Sequence, residues 1–104
     1  MVFDMRFIPN PFYIEELRDQ TGLDAPVRDF VLSFPHTTGF IHSINRLVNE
    51  LMPYYLEQDK KDLIIAIGCT GGKHRSVTVA QELYQLFCSQ EHFATIEHRN
   101  IDLR

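Results

Sequence analysis

Cysteine and net positive charge are the two things this chain has little of. Two cysteines among 104 residues, Cys69 and Cys88, cannot build the disulfide framework on which small secreted domains depend, so a reducing compartment is expected. Ten basic residues stand against 14 acidic ones, a formal net charge of -4. The chain therefore lacks the global basic field that supplies most non-specific nucleic-acid affinity, and DNA is not an expected partner. Also missing are a basic leader followed by an apolar run, and any window near the roughly 20 apolar residues of a membrane span. A cytoplasmic protein without membrane contact is the resulting expectation. No internal repeat, low-complexity tract or linker interrupts the sequence, whose 44% hydrophobic and 23% charged residues are ordinary for a globular protein. A chain of this length buries one core, and a single domain over residues 1–104 is expected.

Hydrophobic periodicity predicts the elements. In residues 2–8, Phe3, Met5 and Phe7 alternate as in a strand, which Pro9-Asn10-Pro11 ends. A helical turn over 14–18 and a break at Thr21-Gly22 precede Asp24, an N-cap candidate with Pro26 in the first turn of a helix reaching about Phe34. Thr37 or Thr38 is expected to open the next helix, in which Ile41, Ile44, Leu47/Val48, Leu51 and Tyr55 recur at helical spacing and Pro53 forces a kink or an end. The polar stretch 57–62 leads into Leu63-Ile64-Ile65-Ala66-Ile67, apolar and β-branched, the expected central strand. A helix over 76–88 and a last strand over 93–98 complete a βαβ unit in the C-terminal half, with parallel strands and a right-handed crossover. The expected fold is α/β, a small and mostly parallel sheet of about three to four strands flanked by helices.

The most informative segment is Gly68-Cys69-Thr70-Gly71-Gly72-Lys73-His74-Arg75-Ser76. In open α/β sheets ligands collect beyond the carboxyl ends of strands, and those ends carry Asn10, this loop and His98-Arg99. Gly71 and Gly72 allow positive φ and close backbone approach, while the next helix turns its free N–H groups and positive dipole end toward the loop. Thr70 adds a hydroxyl, Lys73 a cation, Arg75 a two-pronged donor, and His74 a donor whose charge depends on pH. Arg6, His98 and Arg99 are candidates to join them in space. This chemistry suits phosphate or another small oxyanion; the plain alternative is a tight strand-to-helix turn bearing surface cations.

Named glycine-loop patterns narrow the choice. A Walker A loop is excluded because Ile67 stands where its first glycine belongs and His74 where a hydroxyl would hold Mg²⁺. The dinucleotide fingerprint fails at Thr70, where the second glycine would admit the pyrophosphate. The spacing Cys69-x5-Arg75-Ser76 does resemble the phosphate loop of cysteine-dependent phosphatases, in which a thiolate attacks phosphorus. On that reading Cys69 and Arg75 are catalytic. Gly68 stands where those enzymes carry histidine, and Asp4, Asp24 and Asp29 lie in no recognisable acid loop. An enzyme is therefore the second reading, and a binding domain without cofactor the first.

The stretch Ala66-Ile-Gly-Cys-Thr-Gly-Gly-Lys-His-Arg-Ser-Val77 resembles the signature of the C-terminal domain of the RapZ family. The resemblance continues through Phe3-Asp-Met-Arg-Phe-Ile-Pro-Asn-Pro11, Leu17-Arg18, Thr21-Gly-Leu-Asp24 and His98-Arg99, in order, over nearly the whole chain. It implies a fold likened to part of phosphofructokinase, and an N-terminal P-loop nucleotide-binding domain that these residues do not include. It further implies sensing of an amino-sugar phosphate, glucosamine-6-phosphate in the studied branch, by a self-associating domain. In some bacteria such a domain also acts as an adapter that binds small regulatory RNA and an endoribonuclease. Carried over by position, the ligand loop is Thr70, Gly71, Gly72, His74 and Arg75, with Cys69 beneath. Phe12 replaces a ligand-contacting histidine of some members, and residues 100–104 lack the basic cluster associated with RNA.

Among the remaining candidates, His36 and His42 are expected at the surface, and Cys69, His74 and His98 lack the motif spacing of a metal site. Asp4 and Arg6 share a strand face and suit either an ion pair or an arginine reaching the anion. Tyr13, Tyr54, Tyr55 and Tyr84 suit a core edge or a homodimer surface better than a base-stacking platform, because no basic residues interleave them. A net charge of -4, with Arg104 the only cation in the last five residues, leaves little counterion release on RNA binding. Titration with structured RNA near physiological salt should give a Kd weaker than about 1 µM. Submicromolar binding with a steep salt slope would reveal a basic surface assembled elsewhere, with Lys60, Lys61 and Lys73 the first residues to replace.

Overall fold

Two short strands pair in parallel and fix the position of everything near the glycine loop. In the computed structural model, which describes residues 1–58 and 62–99, β1 (Val2–Asp4) and β2 (Ala66–Gly68) run in register Val2 to Ala66, Phe3 to Ile67 and Asp4 to Gly68. The ladder outlasts both strands: the Ala66 N–H donates to the Met1 carbonyl and the Met5 N–H to the Gly68 carbonyl, each at 2.7 Å. After β1 the chain makes a 3-10 turn (Pro11–Tyr13), then α1 (Glu15–Arg18), α2 (Ala25–Leu32) and the long α3 (Pro35–Glu57). β2 and α4 (Arg75–Ser89) follow, with the glycine loop between them.

Each helix buries the stripe its periodicity marks. Val27 and Val31 of α2, Ile41, Ile44 and Val48 of α3, and Val79, Leu83 and Phe87 of α4 meet Met5, Ile8 and Leu17 in one core. Met5, Val27, Val31 and Val79 are fully enclosed. Each aliphatic side chain so buried stabilises the fold by about 1.5–3 kcal/mol. An aromatic chain ties β1 to α3: Phe3 meets Phe40 edge-on at 5.4 Å between ring centres, Phe7 meets Phe40 at 5.9 Å and His36 at 5.6 Å, and His36 meets Phe34 at 5.4 Å.

The architecture is the expected α/β with a parallel sheet, but among the described residues the sheet has two strands and not three to four. Residues 92–99 alternate between exposed and half-buried as a strand would, yet join no ladder. Their start lies on α3, where the His92 ring is 2.8 Å from Asn49 Oδ1. Of the predicted central strand 63–67, only Ala66 and Ile67 lie in β2, because β1 is short.

Helix starts also differ. α3 opens at Pro35, whose fixed φ and missing N–H suit a first helical position, and not at Thr37 or Thr38. Asp24 does precede α2, but its carboxylate accepts the Thr21 N–H at 2.8 Å and does not cap the helix. Pro53 lies inside α3, which runs on to Glu57. Lys60, Lys61 and the tail 100–104 lie outside the described residues.

Gly22 is where the N-terminal segment touches α4. Its N–H donates to the Lys73 carbonyl at 2.9 Å, and its own carbonyl accepts the Thr78 hydroxyl at 2.9 Å. A methyl group there would overlap the His74 carbonyl and lie 2.6 Å from the Thr78 amide nitrogen. Gly22→Ala should therefore cost about 1–3 kcal/mol, the range for overpacking. Gly39, within α3, faces open space, and Gly39→Ala should gain about 1 kcal/mol from helix propensity. Thermal melts of the two variants check these opposite signs.

Candidate functional site

The loop inherits its shape from β2, the glycine pair and the first turn of α4. Both glycines take positive φ, 80° at Gly71 and 64° at Gly72, a region that residues with a Cβ rarely adopt. The backbone thus reverses within two residues, and α4 begins at Arg75 with no side chain capping it. Among the described residues, the N–H groups of Thr70, Gly71, Gly72 and His74 meet no acceptor. Unpaired amides beside the positive end of a 15-residue helix make a surface that favours an oxyanion.

Cys69 lies under this rim, half-buried. Its Sγ accepts the Ser76 N–H at 3.4 Å and donates to Ser76 Oγ at 3.2 Å, so the first turn of α4 holds the sulfur in place.

The side chains of Lys73, His74 and Arg75 turn from the loop toward the N-terminal segment. Lys73 Nζ donates to the Arg18 carbonyl at 3.4 Å, and His74 Nε2 meets the same carbonyl at 3.1 Å, which makes Nε2 the protonated nitrogen. That carbonyl closes α1, where a helix end attracts cations. Arg75 is only 4% exposed. Its Nη1 donates to the Ile8 carbonyl at 2.8 Å and the Arg6 carbonyl at 3.3 Å, while Nε has no partner among the described residues.

The other predicted residues separate into two groups. Asn10 Oδ1 accepts the Phe12 N–H at 3.1 Å and caps the 3-10 turn. Arg6 pairs with Asp4 at 2.7 Å, and this partner holds the Asp4 carboxyl below its ordinary range. His98 and Arg99, by contrast, share a cleft of about 1050 Å³ with Cys69, Gly72 and Ser76. His98 Nε2 lies 3.4 Å from Gln81 Oε1, and Arg99 lies 3.7 Å from Glu97. No three His, Cys, Asp or Glu side chains among the described residues are placed to hold a metal ion, and no helix there is long and apolar enough to cross a membrane.

Sequence reasoning did not identify Gly22, Thr78 or the Arg18 carbonyl as neighbours of the loop. The only available signal was Thr21-Gly22 itself, which reads as a break and serves as a close-packing point.

Burial holds the His74 imidazole below its ordinary value, against a smaller opposing effect of its carbonyl contacts, and burial lowers His98 as well. Unfolded histidine titrates near pH 6.5, so the unfolded chain takes up protons first as pH falls. Stability is then full above about pH 6.5 and declines as pH drops from there toward the lowered folded values. Melting midpoints should fall between about pH 7.5 and pH 5.5, and less so in His74→Gln, which keeps a donor but cannot titrate. An unchanged slope in that variant would remove His74 from the account.

The chain matches the family model described as the RapZ C-terminal domain over residues 1–102. It is 48% identical over 102 residues to a protein of Clostridium acetobutylicum named nucleotide-binding protein, covering 98% of this chain and 35% of that one. Proteins of the same name from Caldicellulosiruptor saccharolyticus and Acetivibrio thermocellus are 50% and 47% identical, again over 98% of this chain and 35% of theirs. The chain thus spans about a third of the length of these relatives. A match that runs from β1 through the glycine loop to the end of the extended segment leaves one conclusion, that this chain belongs to the RapZ C-terminal domain family.

Proposed function

We propose that this domain is a regulatory sensor of a small phosphorylated metabolite, an amino-sugar phosphate such as glucosamine-6-phosphate, bound at the loop 68–75. The observation that carries the reading is the row of unpaired amides at Thr70, Gly71, Gly72 and His74 beside the uncapped start of α4. The phosphate lies against those amides, and the sugar extends into the cleft toward His98 and Arg99. Arg75 supports the site from beneath by fixing the Arg6 and Ile8 carbonyls. The domain works in the cytoplasm as a homodimer and reports ligand occupancy to a protein partner, an endoribonuclease or another regulator. Relatives bear the name nucleotide-binding protein, but this loop lacks the Walker A residues, so a sugar phosphate suits it better than a nucleotide.

One observation favours a second reading. Ser76 donates its N–H to Cys69 Sγ, which places the sulfur at the start of α4 and six residues before Arg75. Against phosphatase chemistry, the Arg75 guanidinium is engaged by two carbonyls.

The test is a thermal-shift series with glucosamine-6-phosphate, inorganic phosphate and unphosphorylated glucosamine. Ligand at a hundredfold excess over its Kd should stabilise by about 2.7 kcal/mol, an upward shift on the order of 10 °C for a domain of this size. Cys69→Ser should keep the shift. Gly71→Ala should lose it and also lower the unliganded stability by about 1–2 kcal/mol, because the surroundings of Gly71 are open but its positive φ strains a residue with a Cβ. Absence of any shift with phosphorylated ligands would reject the sensor. Release of phosphate by wild type but not by Cys69→Ser would establish the enzyme.

A further inference from the structure

Residues 92–99 are fastened at one end and loose at the other. α4, 15 residues and about 22 Å long, carries the chain away from the glycine loop and ends in a tight reversal. There the Glu91 N–H donates to the Cys88 carbonyl at 3.1 Å and the His92 N–H to the Phe87 carbonyl at 3.0 Å. Glu91 takes a φ of 67°, the one non-glycine residue with positive φ among those described, as this kind of helix end requires. The His92 ring lies 2.8 Å from Asn49 Oδ1, so α3 and α4 together fix this end. The chain then returns along the cleft toward the loop, where His98 Nε2 lies 3.4 Å from Gln81 Oε1 within the first two turns of α4. Arg99 lies 3.7 Å from Glu97, and both side chains are largely exposed, so their pairing holds little. Phe93 is fully exposed, and a swing about it disturbs no packing.

What the loose part faces is the open edge of β2. The Ala66 N–H and the Gly68 carbonyl bond to Met1 and Met5, so strand geometry turns the backbone groups of Ile65 and Ile67 to the other edge. Among the described residues neither these groups nor those of residues 93–97 have a backbone partner. Both segments line the same cleft, and both alternate in one sense. Leu63, Ile65 and Ile67 are half-buried, as are Ala94, Ile96 and His98, while the residues between them are exposed. A third parallel strand therefore needs no change of face in residues 93–97, only a lateral move, and it gains the backbone bonds that both edges lack. Charge decides when that move occurs. The unpaired amides of residues 70–74 and the start of α4 present positive potential, and Arg99 shares their cleft. Like signs hold the segment away from an empty loop, whereas an oxyanion on the amides reverses the local sign and attracts Arg99.

We propose that residues 93–99 form a strap that closes onto β2 as a third parallel strand when an oxyanion occupies the loop, pivoting at Phe93 while His92 stays on α3. The inference rests on the ligand reading above and adds the way in which occupancy becomes a change of shape. In the open state Arg99 pairs with Glu97. In the closed state it meets the bound anion, and the backbone of residues 93–97 pairs with Ile65 and Ile67. Because the Arg99 contact is made only in the closed state, the ligand binds that state more tightly and shifts the equilibrium toward it. Phe93, Thr95 and Glu97 then stand in a strand beside Ile64 and Ala66, an outer surface present only in the occupied form.

Hydrogen exchange read by mass spectrometry on the 104-residue chain tests this, with inorganic phosphate or glucosamine-6-phosphate added until its thermal shift saturates. Peptides spanning residues 63–67 and 93–97 should exchange rapidly in the free protein and on the order of 10-fold more slowly when the loop is occupied. Unpaired amides exchange from the folded state, so a general gain in stability does not imitate this result. Arg99→Gln, saturated with the same compound, should lose most of the slowing. A thermal shift without slowing in these peptides overturns the strap and leaves the sensor standing. Slow exchange already present in the free protein, or full slowing in Arg99→Gln, overturns the strap as well. If neither compound shifts the melt, the sensor reading fails and the strap falls with it.

Discussion

The contact between three consecutive basic side chains, two of them cations, and the carbonyls of the N-terminal segment anchors the glycine loop to the rest of this structure. Lys73 and His74 meet the Arg18 carbonyl, and Arg75 meets those of Arg6 and Ile8. A charge-assisted hydrogen bond is worth roughly twice a neutral one, and a buried guanidinium without acceptors is strongly disfavoured. The N-terminal segment therefore follows α4 wherever it goes. With Gly22 seated on the first turn of α4, the loop between β2 and α4 has little freedom left.

This division of labour separates the loop's side chains from its backbone. Cations that appear in the sequence as ligand groups hold the scaffold, while the amides of Thr70, Gly71, Gly72 and His74 are left unpaired at the rim. On the proposed sensor reading, amides fixed in this way would meet an oxyanion without reorganising. A cleft joins the loop to His98 and Arg99.

Periodicity made the helices legible, most clearly in α3, where Ile41, Ile44 and Val48 enter the core at the predicted spacing while Leu51 and Tyr55 do not. Boundaries were less legible, as at Pro35, where a first-turn proline prevailed over the hydroxyl caps at Thr37 and Thr38. The sheet was misjudged in extent. Alternation in residues 92–99 is real, but alternation reports which face is covered and not which neighbour supplies the hydrogen bonds.

What the sequence determined by itself was local: the left-handed turn at Gly71-Gly72, the helix that follows it, and the α/β class with its family signature. Those features depend on φ preferences and on spacing along one stretch of chain. Where Arg75 points, which carbonyls Lys73 and His74 reach, and whether residues 92–99 pair with β2 were decided only by tertiary structure. Each depends on a partner far away in sequence, 67 residues for Arg75 and Ile8, and a backbone carbonyl leaves no trace in the residue letters that could announce it.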